Sequence, residues 1–198
     1  GALLAATAVF MFAFNVYPAI WAFYLIELHG WTAAGVGLSL AAFGLFMGAA
    51  QAFGLGWTTR RIGARNTVLM GLGFSVLTLA IYAAGPAVWV IFAILPLVAV
   101  GDLAPMAMAA MMSARVPDDR QGRLQGVLAS LQGLTAALAP PVFAAIFEVF
   151  ARPGAALRAP GAPFALSAVL ALAALAIVAL ARDRAGDAAP AGEPPPAG

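Results

Sequence analysis

A single acidic residue, Asp102, lies deep in apolar sequence, where a carboxyl group could take up and release a proton. It follows the predicted start of its helix by roughly 15 residues, or about 22 Å. A charge at that depth is costly, which makes a functional role the first hypothesis. Pro105 cannot hydrogen bond to the Gly101 carbonyl, and Pro96 precedes the acid, so we expect the helix to be broken or kinked there. We predict that Asp102 couples proton movement to function; alternatively, it is a neutral hydrogen-bonded acid or the partner of an arginine outside this chain.

Small and amide side chains form stripes along two other apolar segments. Small residues recur at three- or four-residue spacing at Gly122, Gly126, Ser130, Gly133 and Ala137. Such a stripe lets another helix approach closely. Gln125 lies beside it, and because an amide is costly in lipid, we expect it to bond a neighbouring helix or to line a water-filled path. Gly44 and Gly48 repeat the small-residue spacing, with Gln51 on the same face.

A charged stretch, PDDRQGRLQGV at residues 117–127, separates two apolar segments. Asp118 stands three residues before Gln121, which is the spacing of a capping box at the start of a helix. Asp119 and Arg123 are four residues apart and can pair across one helical turn. The stretch is therefore predicted to be a loop that leads into a helix, and not the place where chemistry occurs.

The apolar segments are long enough to cross a membrane six times. The chain is 64% hydrophobic and 9% charged, whereas a soluble domain has about 25% charged residues. A helix needs about 20 apolar residues to cross the hydrocarbon, and Gly85-Pro86 divides an uncharged stretch that is too long for one span. The predicted spans cover residues 2–27, 33–57, 67–84, 87–114, 122–149 and 163–181. We predict an all-α membrane protein with one six-helix bundle at residues 1–182.

Arginines are divided unequally between the two sides of these spans. Eight lie on the side that holds both termini, at positions 60, 61, 65, 115, 120, 123, 182 and 184. Only Arg152 and Arg158 lie on the other side. Since basic residues are enriched in cytoplasmic loops, we expect a cytoplasmic C-terminus, with residues 183–198 forming a disordered cytoplasmic tail. Because the chain begins in apolar sequence without a Met, we expect a fragment or a processed product.

Aromatic residues cluster near the other ends of the first spans. Trp21, Tyr24 and Trp31 are predicted to form an interfacial belt in contact with lipid headgroups. Glu27 and Glu148 lie near the outer ends of their helices and are also interpreted as interfacial.

The composition argues against several classes of protein. The chain has no Cys, which excludes disulfides and thiolate metal sites, and no Lys, which excludes the nucleotide-binding Walker loop. Its net charge of +2 is too small to indicate nucleic-acid binding. An intramembrane serine protease needs a Ser–His pair at depth, whereas the one histidine, His29, lies in a short outer loop. We expect no enzyme, no cofactor and no bound metal.

The loop GWTTRRIGAR, residues 56–65, resembles the signature loop between the second and third helices of each half of the major facilitator superfamily. The usual pattern is G-x-x-x-D-R-x-G-R-R. The matching residues are Gly56, Arg61, Gly63 and Arg65, while Arg60 stands where the acid usually is and Ala64 replaces an arginine. Residues 37–54 and 118–126 further resemble the C-terminal half of the tetracycline-efflux antiporters.

This resemblance implies one half of a twelve-helix exporter in the bacterial inner membrane. Two six-helix bundles surround a cavity that opens alternately to each side, and a magnesium–tetracycline chelate leaves in exchange for a proton. The implied partners are the lipid bilayer, a small amphipathic drug and the missing N-terminal six-helix half. The alternatives are an exporter of another drug or metabolite, or a truncated fragment that does not transport.

The resemblance also implies roles for individual residues. Asn15 and Gln51 match polar positions along the substrate path and, with Gln125, are the predicted substrate contacts. The family acid that matters for coupling matches Ser75, whereas Asp102 falls where the family has Gly. The predicted gating loops contain Gly56, Arg61, Gly63, Arg65, Asp118, Asp119, Arg120, Gly122 and Arg123.

Overall fold

The computed structural model describes residues 1–152, 155 and 157–181, and all the regular structure within this part is helical. The α-helices are α1 (Ala2–Phe14), α2 (Val16–His29), α3 (Ala33–Ala49), α4 (Leu55–Ile62), α5 (Ala64–Ala83), α6 (Val88–Gly101), α7 (Leu103–Ser113), α8 (Gln121–Ala151) and α9 (Ala162–Leu180). A π-helical turn, Ala50–Gly54, joins α3 to α4, and a 3₁₀ turn, Asp118–Arg120, leads into α8. Residues 182–198, including the predicted tail, Arg182 and Arg184, lie outside the described residues.

These helices combine into six segments that are long and apolar enough to cross a membrane. They cover Ala2–His29, Ala33–Ile62, Ala64–Ala83, Val88–Ser113, Asp118–Ala151 and Ala162–Leu180. The second segment continues five residues beyond the predicted position 57, because Arg60 and Arg61 are still part of α4, which ends just before Gly63. Gly63 has φ +82° and ψ 158°, a backbone region that is essentially restricted to glycine.

Two segments are interrupted, and each break lies three residues before a proline. Asn15 separates α1 from α2 ahead of Pro18, and Asp102 separates α6 from α7 ahead of Pro105. Since proline cannot donate to the carbonyl four residues earlier, the helical ladder loses one bond at each place. Pro96, by contrast, lies inside α6 without interrupting it, so Pro105 is the proline associated with the break at the acid.

The bundle packs around α5. This helix contacts α9, α7 and α6, while α1 packs against α9 and α8. Its core is aliphatic and aromatic, with side chains such as Phe10, Leu72 and Phe164 almost fully buried. Helices α3 and α8 are mostly exposed along their length. The two faces that carry the small-residue stripes are therefore left uncovered by the part of the chain that the structure describes.

The predicted aromatic belt is wrong for two of its three members. Trp21 is 7% exposed and Tyr24 is fully buried. The Trp21 indole donates a 3.0 Å hydrogen bond to the hydroxyl oxygen of Ser39, and the Tyr24 hydroxyl donates to the Tyr82 carbonyl. Both polar atoms find partners inside the bundle, so neither side chain needs the water-facing position of a belt. Only Trp31 remains partly exposed, where it stacks on Phe92.

Candidate functional site

Asp102 lies at the break between α6 and α7, inside the bundle, with 8% of the residue exposed. Its Oδ2 atom accepts a 3.4 Å hydrogen bond from Nε2 of Gln51. The structure thus brings together two of the predicted site residues, one expected to couple protons and one expected to contact substrate. A buried acid with an amide donor can exist with or without its proton while it keeps a hydrogen-bond partner.

The π-helical turn in the second segment positions Gln51 for this bond. Gln51 is the second residue of the turn Ala50–Gly54, and single π turns in helices are frequent at functional sites. The backbone comes close to α7 here, since a β-carbon on Gly54 would lie 3.3 Å from the Leu103 Cδ1 atom. Glycine at position 54 therefore lets the turn pack against the residue that follows Asp102.

Helix α5 approaches the same break from another side. A β-carbon on Gly101 would lie 2.5 Å from the Ser75 hydroxyl oxygen, and one on Gly71 would lie 3.1 Å from the Gly101 carbonyl oxygen. Ser75 is the position that matches the acid of the resembling family. Ser75 lies against Gly101, the residue before Asp102. The two candidate acid positions, 75 and 102, are therefore both at the contact between α5 and the break in the fourth segment.

An aromatic cavity of about 200 Å³ lies beside these residues. Its walls include Tyr17, Trp21, Phe43 and Tyr82. Val98, another wall residue, accepts a 3.1 Å hydrogen bond from the Asp102 backbone amide, which links the cavity to the acid. The Tyr82 hydroxyl is buried without a hydrogen-bond partner among the described residues.

The sequence interpretation missed the two cavity tyrosines, although the sequence carries a signal for them. Aromatic residues recur at three- and four-residue spacing along the first segment at Phe10, Phe14, Tyr17, Trp21 and Tyr24. This spacing puts them on one helix face, and the face packs inward. Tyr82 gives no comparable signal, because it lies alone near the end of α5.

The other two predicted substrate contacts lie elsewhere. Asn15 is half-buried at the first helix break, and its amide donates a 2.8 Å hydrogen bond to the Met11 carbonyl of its own helix. Gln125 is exposed on α8. Neither arrangement is a contact with Asp102, so their roles as substrate contacts remain predictions.

The first predicted gating loop joins α4 to α5. Gly63 makes the turn, and the Arg61 guanidinium lies over the Trp57 ring at 5.8 Å. Arg65 donates to the carbonyl oxygens of Val178 and Ala179 at 3.3 and 3.1 Å, at the end of α9, where cations are favourable. Gly56 lies one turn before Arg60 on α4. The loop thus connects the second and third segments to the sixth.

The second predicted gating loop differs from the predicted capping box. Neither the 3₁₀ turn nor α8 has a side-chain cap, and Asp118 does not fill this role. The Gln121 amide instead donates to the carbonyls of Ser113 and Val116, both at 2.8 Å. Asp119 lies 3.7 Å from Nε of Arg120 rather than against Arg123. The 3₁₀ turn changes the spacing that the capping box needs, because it delays the start of α8 to Gln121.

Gly122 and Arg123 are exposed in the first turn of α8. A β-carbon on Gly122, Gly126 or Gly133 would meet no atom within 4 Å, and the same holds for Gly44 and Gly48. Among the described residues, the glycines of the small-residue stripes therefore have no close neighbour from another helix.

Comparison with known proteins agrees with this architecture. The sequence model of the family described as Major Facilitator Superfamily matches residues 2–197. Tetracycline resistance protein, class C, from Escherichia coli is 36% identical over 137 residues, which make up 69% of this chain and 35% of that protein. Tetracycline resistance protein, class G, from Vibrio anguillarum is 36% identical over 151 residues, or 76% of this chain and 38% of that protein.

The similarity extends to animal proteins. Hippocampus abundant transcript 1 protein from Mus musculus is 32% identical over 127 residues, or 64% of this chain and 26% of that protein. The chain spans little more than a third of the tetracycline resistance proteins that it matches. Six apolar helices, a signature loop at the turn into α5 and a family match over nearly the whole sequence lead to one conclusion: this chain is a multi-pass membrane protein that belongs to the major facilitator superfamily.

Proposed function

We propose that this chain is the C-terminal six-helix half of a proton-coupled exporter of tetracycline or a similar drug. The observation that carries the proposal is the hydrogen bond between Asp102 and Gln51 at a break in an apolar helix. The names of two similar proteins support the drug class. The uncovered faces of α3 and α8 support a missing partner bundle, because exposed small-residue stripes are typical of helix–helix interfaces in membranes.

Asp102 would carry the coupling proton. When protonated it is neutral and compatible with an apolar surrounding; when deprotonated it receives a charge-assisted hydrogen bond from the Gln51 amide. The change in charge occurs where α6 ends and α7 begins, and where α5 packs closely through Gly71 and Ser75. A proton that arrives or leaves there can therefore favour different positions of three helices.

The drug would occupy the space beside this acid. The aromatic cavity offers flat apolar walls for a ring system, and the buried Tyr82 hydroxyl offers a hydrogen bond. Its 200 Å³ is below the roughly 300–1,000 Å³ of a drug-sized pocket. The rest of the site would come from the missing half, with Asn15, Gln51 and Gln125 as further contacts. Magnesium would enter only as part of the chelated substrate.

The orientation follows from the arginine distribution. The end of the bundle that carries residues 60–65 and 115–123, here called the Arg-rich end, would face the cytoplasm of a bacterium, since cytoplasmic loops are enriched in basic residues. The loops at that end would act as gating joints, with Arg65 connecting α5 to the end of α9.

The test uses the full-length protein in inverted membrane vesicles. Asp102→Asn keeps the size and the hydrogen bonding of the side chain but removes its titration, so drug-driven proton movement should be abolished. Glu27→Gln is the matched control, because Glu27 is also acidic but pairs with Arg158 at the opposite end of the bundle. Antiport that survives Asp102→Asn unchanged would contradict the coupling role.

A second candidate keeps the transporter and changes the substrate. It is favoured by the 32% identity to Hippocampus abundant transcript 1 protein, whose name contains no drug. A substrate panel in the same vesicles separates the two: tetracycline-driven proton movement supports the first candidate, and movement only with other amphipathic compounds supports the second. Proton movement that none of these compounds drives would contradict both candidates.

A further inference from the structure

A second and larger cleft opens at the Arg-rich end of the bundle. Its volume is about 1240 Å³, above the roughly 300–1,000 Å³ of small-molecule pockets. The starts of α1, α5 and α8 and the ends of α7 and α9 surround it. The cleft therefore lies where the membrane-spanning segments end, at the level of the lipid headgroups.

The rim of this cleft is basic. Four arginines line it, namely Arg65, Arg115, Arg120 and Arg123, and none of the described lining residues is acidic. Among the described residues, Asp119 lies 3.7 Å from Nε of Arg120, and both side chains of this pair are about 70% exposed. Such an exposed pair is weak, so it leaves most of the positive charge of Arg120 and Arg123 in place.

The walls of the same cleft are apolar. The same cleft is lined by Leu4 of α1, Met111 and Met112 of α7 and Leu124 of α8. A free phosphate would contact only the arginines of the rim. A polar, water-soluble peptide segment would gain little from contact with the apolar walls. A phospholipid uses both, because its charged headgroup meets the arginines while its first acyl carbons meet the methionine and leucine side chains.

We propose that this cleft binds the headgroup of an anionic phospholipid, with Arg120 and Arg123 as the contacts to its phosphate. The inference requires only that the chain spans a membrane, and it holds whether or not the chain transports a drug. It assigns a ligand to the charged stretch at residues 115–123, which otherwise only leads from α7 into α8.

Native mass spectrometry of the purified 198-residue chain tests this proposal. The chain is mixed in detergent with equal amounts of phosphatidylglycerol and phosphatidylcholine, and the ratio of the two retained lipids is measured. We expect phosphatidylglycerol to be retained preferentially. Replacing both contacts, as Arg120→Gln with Arg123→Gln, should lower the ratio by roughly fivefold for each arginine. Both side chains are exposed, so the fold should be unchanged by circular dichroism.

The matched control removes the same charge from the same end. Arg60 and Arg61 do not line the cleft, so Arg60→Gln with Arg61→Gln should leave the ratio nearly unchanged. An equal fall in this control would show general attraction to basic loops and overturn the proposal, as would equal retention of the two lipids by the unaltered chain. A several-fold rise in a chain ending at Ala181 would show that residues 182–198 fill the cleft instead, and would overturn it too.

Discussion

At the scale of single residues, two neighbouring tyrosines differ in how their buried hydroxyl groups are satisfied. The Tyr24 hydroxyl donates a 2.5 Å hydrogen bond to the Tyr82 carbonyl. The Tyr82 hydroxyl has no partner within the described part of the chain and lies at the wall of the aromatic cavity. An unpaired buried hydroxyl is costly, whereas a paired one is mildly stabilising.

This difference predicts opposite effects of the same substitution. Tyr24→Phe should lower the free energy of unfolding by about 1 kcal/mol. The cost is small because the Tyr82 carbonyl keeps its hydrogen bond from the Gly85 amide and is not left without a donor. Tyr82→Phe should be neutral or stabilising. Unfolding of the detergent-solubilised chain in a denaturant series measures both, and a larger cost for Tyr82→Phe would indicate that its hydroxyl has a partner.

The sequence was sufficient to select Asp102 and Gln51, but not to place them together. Asp102 is conspicuous because its neighbours are apolar, and Gln51 was selected because it matches a polar position along the substrate path of the resembling family. Their hydrogen bond joins residues 51 positions apart and depends on the π-helical turn, for which periodicity alone gives no signal. Asn15 was selected on the same grounds and bonds its own helix instead.

At the scale of elements, the contact between α5 and the break at Asp102 is a backbone contact made possible by glycine. A β-carbon on Gly71 would lie 3.0 Å from the Ala104 β-carbon and 3.1 Å from its amide nitrogen. Both neighbours are close to the backbone and cannot rotate away. The two helices would therefore have to separate to make room for a methyl group.

We expect Gly71→Ala to lower the free energy of unfolding by about 1–3 kcal/mol, the usual cost of overpacking. Gly73→Ala is the control in the same helix, since a β-carbon there would meet no atom within 4 Å. It should be neutral or stabilising by up to about 1 kcal/mol, because alanine favours the helix. Thermal stability in detergent ranks the two variants, and equal effects would mean that the helices are not in close contact at Gly71.

The helix boundaries show which sequence rules predict a helix end correctly: the proline rule does so here, and the capping-box motif does not. Proline correctly predicts the break at Asp102, because a missing amide is a property of one residue. The capping box at Asp118 was wrong, because the Gln121 side chain has better-placed acceptors at the end of α7. Those acceptors lie at the last residue of the preceding helix and in the loop after it, and the motif contains no information about how that helix ends.

At the scale of the whole molecule, the exposed faces of α3 and α8 indicate where the proposed partner bundle packs. Leucine at Gly126 should leave the stability of the isolated chain unchanged, since no atom lies within 4 Å of a β-carbon there. In the full-length protein it should impair transport, because the bulky side chain keeps the partner helix away. Ala173→Leu, on the exposed face of α9, is the control that should leave both unaffected.

Vesicle transport and detergent stability, measured side by side, test this prediction. If Gly126→Leu and Ala173→Leu impair transport equally, α8 is not an interface in the proposed sense.

Composition and apolar length were enough to predict six membrane-crossing helices. They could not predict that Trp21 and Tyr24 face inward, because that depends on which helix lies opposite.

The π-helical turn at Ala50–Gly54 changes the direction in which side chains point around the axis of the second segment. An α-helix advances about 100° per residue, and a π turn accommodates one additional residue in the same stretch. The part of the segment before the turn, where Ser39 bonds Trp21, is therefore held out of phase by one residue with the part after the turn, where Arg61 lies over Trp57. Deleting one residue from the turn would rotate one half of the segment relative to the other and turn Gln51 away from Asp102.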